Sequence, residues 1–216
     1  MKKNKKYTAM QNIISLLRSE YPDARCALEY STPFQLLIAT ILSAQCTDER
    51  VNKVTPLLFA RFPDPASMAN AEDAELEQII HSTGFYRAKA KNIKACAQKI
   101  CEVYQGNIPS TMDELHALPG VGRKTANVVL GNAFGINHGI TVDTHVLRLM
   151  RLLGFTKSEN AEIVERELMP LMPEQDRTMF THLIISHGRA VCIARRPKCT
   201  ACVLAQLCPS AKIELV

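Results

Sequence analysis

The sequence predicts an all-α protein. Three observations lead there. Apolar residues recur at helical spacing, cap residues open one segment after another, and no stretch alternates apolar and polar residues as a half-buried strand would. Thr32-Pro33 puts a cap and a first-turn proline before Phe34-Gln35-Leu36-Leu37-Ile38-Ala39-Thr40-Ile41-Leu42, which is apolar almost all round and reads as a central buried helix. Thr47-Asp48-Glu49 opens another helix, and Pro56 reads as the start of a separate one. Asp73 to Ser82 is a short helix stopped by Gly84. From Tyr86 to Tyr104, residues Ile93, Cys96, Ala97, Ile100 and Tyr104 share one face. Cys96 and Cys101 are therefore read as core residues. Arg87, Lys89, Lys91, Lys94 and Lys99 fall mostly elsewhere, on a face that is either simply solvated or open to a polyanion. Thr111-Met112-Asp113-Glu114 reads as a capping box for a helix ending near Leu118. An apolar helix then runs to Phe134 and stops at Gly135. Asp143-Thr144 caps the next, which ends at Gly154, and Ser158 and Pro173 begin two more.

A chain of 216 residues, 47% hydrophobic, holds one large packed domain or two modest ones. Its formal net charge of +5 agrees with a polyanionic partner without requiring one. The basic start Met1-Lys2-Lys3-Asn4-Lys5-Lys6 is followed by Ile13-Ile14-Ser15-Leu16-Leu17-Arg18, too interrupted for a signal peptide or a membrane span. The reading is a cytoplasmic protein, in which disulfides are not expected. The eight cysteines then need another explanation. Cys26, Cys46, Cys96 and Cys101 are scattered, whereas Cys192, Cys199, Cys202 and Cys208 crowd the C-terminal end.

Three local patterns carry chemistry. Leu118-Pro119-Gly120-Val121-Gly122-Arg123-Lys124-Thr125-Ala126 joins two helices through a hairpin. Two glycines, two residues apart, let the chain turn and let another backbone come close. The amides of Gly120, Val121 and Gly122 can face outward at the start of the next helix, an anion site suited to phosphate; the plain alternative is an ordinary helical corner. Lys124 follows in the first helical turn. A lysine attacks carbon only as the neutral amine, and the helix N-terminus and Arg123 both disfavour the ammonium there. The same place suits a phosphate-binding lysine equally well. Asp143 is by itself a helix cap. Finally, the spacing Cys192-x6-Cys199-x2-Cys202-x5-Cys208 indicates a metal centre, with zinc or an iron–sulfur cluster both open.

The hairpin resembles the helix-hairpin-helix motif of the DNA glycosylase superfamily, from Leu118 through Asn127-Val128-Val129-Leu130. The likeness continues in Val142-Asp143-Thr144-His145-Val146. Earlier, Leu42-Ser43-Ala44-Gln45-Cys46-Thr47-Asp48 is similar to the family's Leu-Ser-x-Gln-x-Thr-Asp segment, and Gly84-Phe85-Tyr86-Arg87-Ala88-Lys89-Ala90 to its Gly-aromatic-basic segment. With the cysteine tail, the resemblance to endonuclease III covers nearly the whole chain, in the family's order. It implies a two-domain, all-α helix-hairpin-helix glycosylase fold ending in an iron–sulfur cluster loop. Residues 26–137 are then the helical domain with the hairpin, and residues 1–25 with 138–216 the cluster domain, so that Lys124 and Asp143 are expected to meet at the interface.

What the resemblance implies for function is a base excision repair enzyme. It would remove oxidised pyrimidines and cleave the strand 3′ to the abasic site by β-elimination. Lys124 would form a Schiff base with the sugar, activated by Asp143, which would also stabilise the positive charge on the sugar as the base leaves. The partner is double-stranded DNA with damaged bases or abasic sites, and the chain is expected to act as a monomer without a membrane. Cys192, Cys199, Cys202 and Cys208 would hold one [4Fe–4S] cluster in a structural role. The short loop before Cys199 would then present Arg195, Arg196 and Lys198 as a fixed phosphate-binding patch, joining Gly120, Val121, Gly122 and Arg123. Gln45 and Phe85 match positions that fill the gap left by the extruded nucleotide. Relatives often carry leucine at the Phe85 position, and the alternative there is a core aromatic. His116 stands where relatives carry an acidic residue and is given no catalytic role. Two rivals are weighed. A monofunctional adenine-removing glycosylase is disfavoured by Lys124 and by the eight residues after Cys208, read as too few for that group's extra domain. A non-catalytic iron–sulfur DNA-binding module is disfavoured by Lys124 together with Asp143.

Overall fold

The structure, a computed structural model, describes residues 2–212, with side chains from Lys5. Among the described residues there is no strand. The chain runs through α1 (Lys2–Glu20), α2 (Pro33–Leu42), α3 (Asp48–Arg61), α4 (Pro65–Ala69), α5 (Asp73–Ile80) and α6 (Tyr86–Tyr104). It continues through α7 (Met112–His116), α8 (Arg123–Ala133), α9 (Thr144–Leu152), α10 (Ala161–Leu168) and α11 (Arg177–Ala190), with short 3₁₀ turns between and after them. The fold divides into two compact units, Cys26–Ile136 and the pair Met1–Arg25 with Asn137–Val216.

In the Cys26–Ile136 unit, α2 is the central element. Thr32 caps it by accepting from the Gln35 amide, Pro33 takes the first turn, and Phe34 and Leu36 through Leu42 are buried. A helix this apolar is stable only when enclosed, and α8, α3 and α6 pack around it. Helix α6 buries Ala90, Ile93, Cys96, Ala97 and Ile100 as its periodicity demands. Two expectations change here. Pro56 does not start a helix; it lies inside α3, which runs unbroken from its Thr47 cap to Arg61. Proline removes an amide donor and crowds the carbonyl four residues earlier. Burial of Val51, Val54, Thr55 and Leu58 on both sides of Pro56 offsets that cost. Lys89, read as belonging to a face either solvated or open to a polyanion, is buried.

Thr111 makes half of the expected capping box. Its hydroxyl accepts from the Glu114 amide and donates to the Glu114 carboxylate at 2.6 Å, so the acid serves the side chain rather than the cap's own amide. Helix α7 ends at His116, which is exposed.

The second unit has its own core, built on Met10, Ile13, Ile14 and Leu17 of α1 and on Leu149, Met150, Val164, Leu168, Phe180, Leu183 and Ile184. Helix α1 is tied in by polar contacts as well. Lys6 Nζ donates to the Phe155 carbonyl, Gln11 to that of Leu171, and Arg18 pairs with Asp176 at 2.6 Å. Asn160, not Ser158, caps α10. The Asn160 carboxamide accepts from the Glu162 and Ile163 amides, while the Ser158 hydroxyl accepts from Asn160 itself and shapes the turn before the cap. Pro173 precedes a 3₁₀ turn, Glu174–Asp176, that leads straight into α11.

Candidate active site and metal centre

On the Cys26–Ile136 unit the hairpin is a tight connection. Gly120 has φ +75, and a Cβ there would stand 3.0 Å from Asn92 Cβ of α6, so both the backbone and the packing require glycine. Val121 is buried and its amide donates to the Leu118 carbonyl at 3.2 Å; it does not face outward as expected, because it closes the turn. Gly122 caps α8 with no side-chain hydrogen bond, at φ −90, and open space surrounds the site of its missing Cβ. Nothing inside the protein demands glycine there, and Gly122 stands exposed at the start of α8. Arg123 and Lys124 occupy the first two positions of α8 and are exposed.

Gln45 and Phe85 lie on the same unit, and both are exposed. They share a rare backbone: φ is +52 at Gln45 and +48 at Phe85, the left-handed region that L residues with large side chains avoid. Phe85 is 67% exposed, which rules out the core-aromatic reading. Strained, projecting residues of this kind collect at functional surfaces.

Asp143 lies on the other unit. Its carboxylate accepts from the Val146 amide at 2.8 Å and caps α9. The segment before it is pinned from two sides. Buried Glu165 accepts from the Ile140 amide, and the Thr181 hydroxyl donates to the Thr141 carbonyl. The carboxylate's place is thus fixed by both its helix and its approach.

The four C-terminal thiols are gathered in that same unit. Cys192 follows α11, and its amide donates to the His187 carbonyl. Two short 3₁₀ turns, Cys199–Ala201 and Ala205–Leu207, carry Cys199 and lead to Cys208. The charges of Cys199, Cys202 and Cys208 all act on the Cys192 thiol. Burial pushes the Cys192 and Cys202 thiols up. Opposing this, Arg148 favours the Cys192 thiolate and the Leu204 amide hydrogen-bonds Cys202. The eight cysteines form no disulfide. Four neighbouring thiols with amide and cationic support form a donor set that suits a thiolate-bound cluster.

Sequence reasoning missed the groups around these thiols. His187 is fully buried; its Nδ1 is 3.0 Å from the hydroxyl of Tyr21, the residue after α1, and its Nε2 is 3.3 Å from Cys202 Sγ. Burial holds the His187 pKa low, favouring the neutral ring. In the tautomer whose Nδ1 accepts from Tyr21, the Nε2 proton points at the sulfur. Arg148 donates to the Cys192 carbonyl at 2.5 Å. The one available signal was position, since His187 stands on the last turn of α11, just ahead of Cys192. The loop between Cys192 and Cys199 is closed by the Lys198 amide donating to the Val191 carbonyl, and it leaves Arg195, Arg196 and Lys198 exposed.

Residues 38–174 match the HhH-GPD superfamily of base excision DNA repair proteins, and residues 192–208 the iron–sulfur binding domain of endonuclease III. Endonuclease III of Synechocystis sp. is 58% identical over 200 residues, covering 93% of this chain and 91% of that protein. A solved non-covalent complex of endonuclease III with DNA superposes with a TM-score of 0.90 at 42% identity, covering 95% of this chain and 96% of the other. A trapped covalent endonuclease III–DNA intermediate gives the same TM-score, identity and coverage. With a helix-hairpin-helix fold, an iron–sulfur binding domain and relatives alike over nearly their whole length, the chain belongs to the endonuclease III family of base excision DNA repair enzymes.

Proposed function

We propose that this bifunctional glycosylase and abasic-site lyase works through Lys124 as nucleophile and Asp143 as its assistant, on oxidised pyrimidines in duplex DNA. The observation that carries the reading is the placement of Lys124: an exposed amine in the first turn of α8, directly after the exposed Gly122 of a glycine hairpin. Phosphate at the start of α8 fixes the strand, and the damaged nucleotide is turned out of the stack. The Lys124 nitrogen bonds to C1′ as the glycosidic bond breaks and the base departs with its electron pair. Asp143 takes the proton from the lysine and faces the positive charge that develops on the sugar. Ring opening gives the imine. Loss of the C2′ proton then expels the 3′ phosphate, and water releases the enzyme.

Gly122 tests the phosphate contact apart from the chemistry. Gly122→Ala should leave stability within about 0.5 kcal/mol of wild type, because the methyl meets nothing in the protein. It should nonetheless weaken DNA binding, because the methyl stands where the strand must approach. Gly120→Ala should cost about 1–2 kcal/mol in folding, from its left-handed backbone and the close Asn92. Thermal melts and binding titrations of the two variants check the contrast. Arg195, Arg196 and Lys198 are assigned to the same sequence-independent role.

The substrate class is tested by strand cleavage on a panel of duplexes with one lesion each. Oxidised pyrimidines and abasic sites should be cut with β-elimination ends. Release of mispaired adenine without strand cleavage would support the monofunctional rival.

The cofactor is read as one [4Fe–4S] cluster per chain, held by Cys192, Cys199, Cys202 and Cys208. Among the described residues, no group of three or more His, Cys, Asp or Glu side chains could hold a single metal ion. A four-iron cluster makes no such demand, since each thiolate binds a different iron. Bound there, the cluster supplies a rigid cross-link of the tail rather than a reagent. Protein purified with iron should be yellow-brown and hold about four irons per chain. Cys202→Ser should be insoluble or unstable, because metal binding contributes folding energy to so short a segment. Stoichiometric zinc without iron, in protein kept from air, would contradict this. No helix among the described residues is long and apolar enough to cross a membrane. For a member of a DNA repair family, the compartment is read as the cytoplasm.

A further inference from the structure

Lys89 is 5% exposed in a unit whose other amines reach water or pair with acids at the surface. Its Nζ donates to the Thr83 carbonyl at 2.8 Å, and its own amide donates to the Phe85 carbonyl at 3.0 Å. One residue therefore grips the chain on both sides of the Gly84–Phe85 turn. Thr83 is itself buried, at the end of the 3₁₀ turn His81–Thr83. Gly84 follows at φ +71, and Phe85 at φ +48 and ψ +31. A bulky residue stays in the left-handed region only where its surroundings over-determine it. Lys89 supplies that determination, and Cys46 lies close enough for its charge to act on the lysine. Cys46 is the neighbour of Gln45, another exposed residue with left-handed backbone.

The fold alone does not explain a charge here. Burial disfavours the ammonium and holds the Lys89 pKa down. A methionine would fill the same length without that cost. What the ammonium adds is a directed bond to a backbone carbonyl next to the turn. We propose that Lys89 is a positioning residue for base extrusion: its ammonium fixes the Thr83–Phe85 turn, so that the Phe85 ring stands ready to enter the base stack. This rests on the reading of Phe85 as the residue that fills the gap left by the extruded nucleotide.

The test is a double-substitution cycle on the cluster-loaded protein, with Phe85→Ala, Lys89→Met and the pair. Single-turnover base excision is measured on a duplex carrying one oxidised pyrimidine. Fluorescence of 2-aminopurine opposite the lesion reports unstacking, and circular dichroism reports the fold. Phe85→Ala should slow excision about 10- to 100-fold, the range that stacking of one base on an aromatic ring accounts for. Lys89→Met should remain folded, slow excision to a similar degree and lose the fluorescence rise. In the Phe85→Ala background it should then cost nothing further. Lys89→Gln, an uncharged donor of shorter reach, should slow the reaction less than Lys89→Met, and it takes the place of Lys89→Met in the cycle if that protein does not fold. Slowing that adds fully to that of Phe85→Ala, or a wild-type rate in Lys89→Met, would overturn the role of Lys89 while leaving Phe85 in place. A wild-type rate in Phe85→Ala would instead remove the reading of Phe85, and the proposal with it.

Discussion

Lys124→Gln is expected to bring base release and strand cleavage to background while keeping most of the affinity for DNA. The side chain is exposed, so its exchange for a neutral amide of similar length disturbs no packing. The hairpin keeps Gly120, Gly122 and Arg123, and Gly122 stays exposed at the start of α8. Loss of one cation near the phosphates should lower the slope of log K against log salt by about one unit. A phosphate-binding lysine predicts the opposite pattern, a large loss of affinity with turnover retained once DNA is saturating. Binding and single-turnover rates measured on the same duplex separate the two roles.

Asp143→Asn should have the second-largest effect. Asparagine is as good a cap as aspartate and can still accept from the Val146 amide, so α9 and the melting temperature should be unchanged. The excision rate should nonetheless fall by about 10²–10⁴-fold, the usual contribution of a group that moves a proton in the transition state. If Asp143 only caps the helix, the rate should be near normal. Glu165 and Thr181, which pin the approach to Asp143, predict that the carboxamide stays where the carboxylate was.

Much of this was legible in the sequence because the signals are local. Thr32, Thr47, Thr111 and Asp143 cap the helices that their side chains announce, and the face of α6 follows from its period. The cysteine spacing pointed to a metal centre because all four cysteines come from one short stretch. Where reading failed, tertiary contacts had outweighed local rules. Pro56 is carried through α3 by burial on both sides, and Val121 turns its amide inward to close the hairpin. Lys89 looked like one basic residue among several, since nothing in its neighbours reveals a carbonyl placed to receive it. His187 and Tyr21 meet across 166 positions of the chain, a separation that no periodicity reports. Even in the hairpin, the pattern showed two glycines but not their difference: Gly120 is required by the fold, whereas Gly122 is left open by it.

The most direct test of the account is reductive trapping. Borohydride is added while the cluster-loaded protein turns over a duplex with one oxidised pyrimidine, and the adduct is digested and mapped. The account predicts a covalent protein–DNA species whose modified peptide carries the sugar on Lys124, and which is absent from Lys124→Gln. An adduct on another residue, one that persists undiminished in Lys124→Gln, or base release with no adduct at all would contradict it.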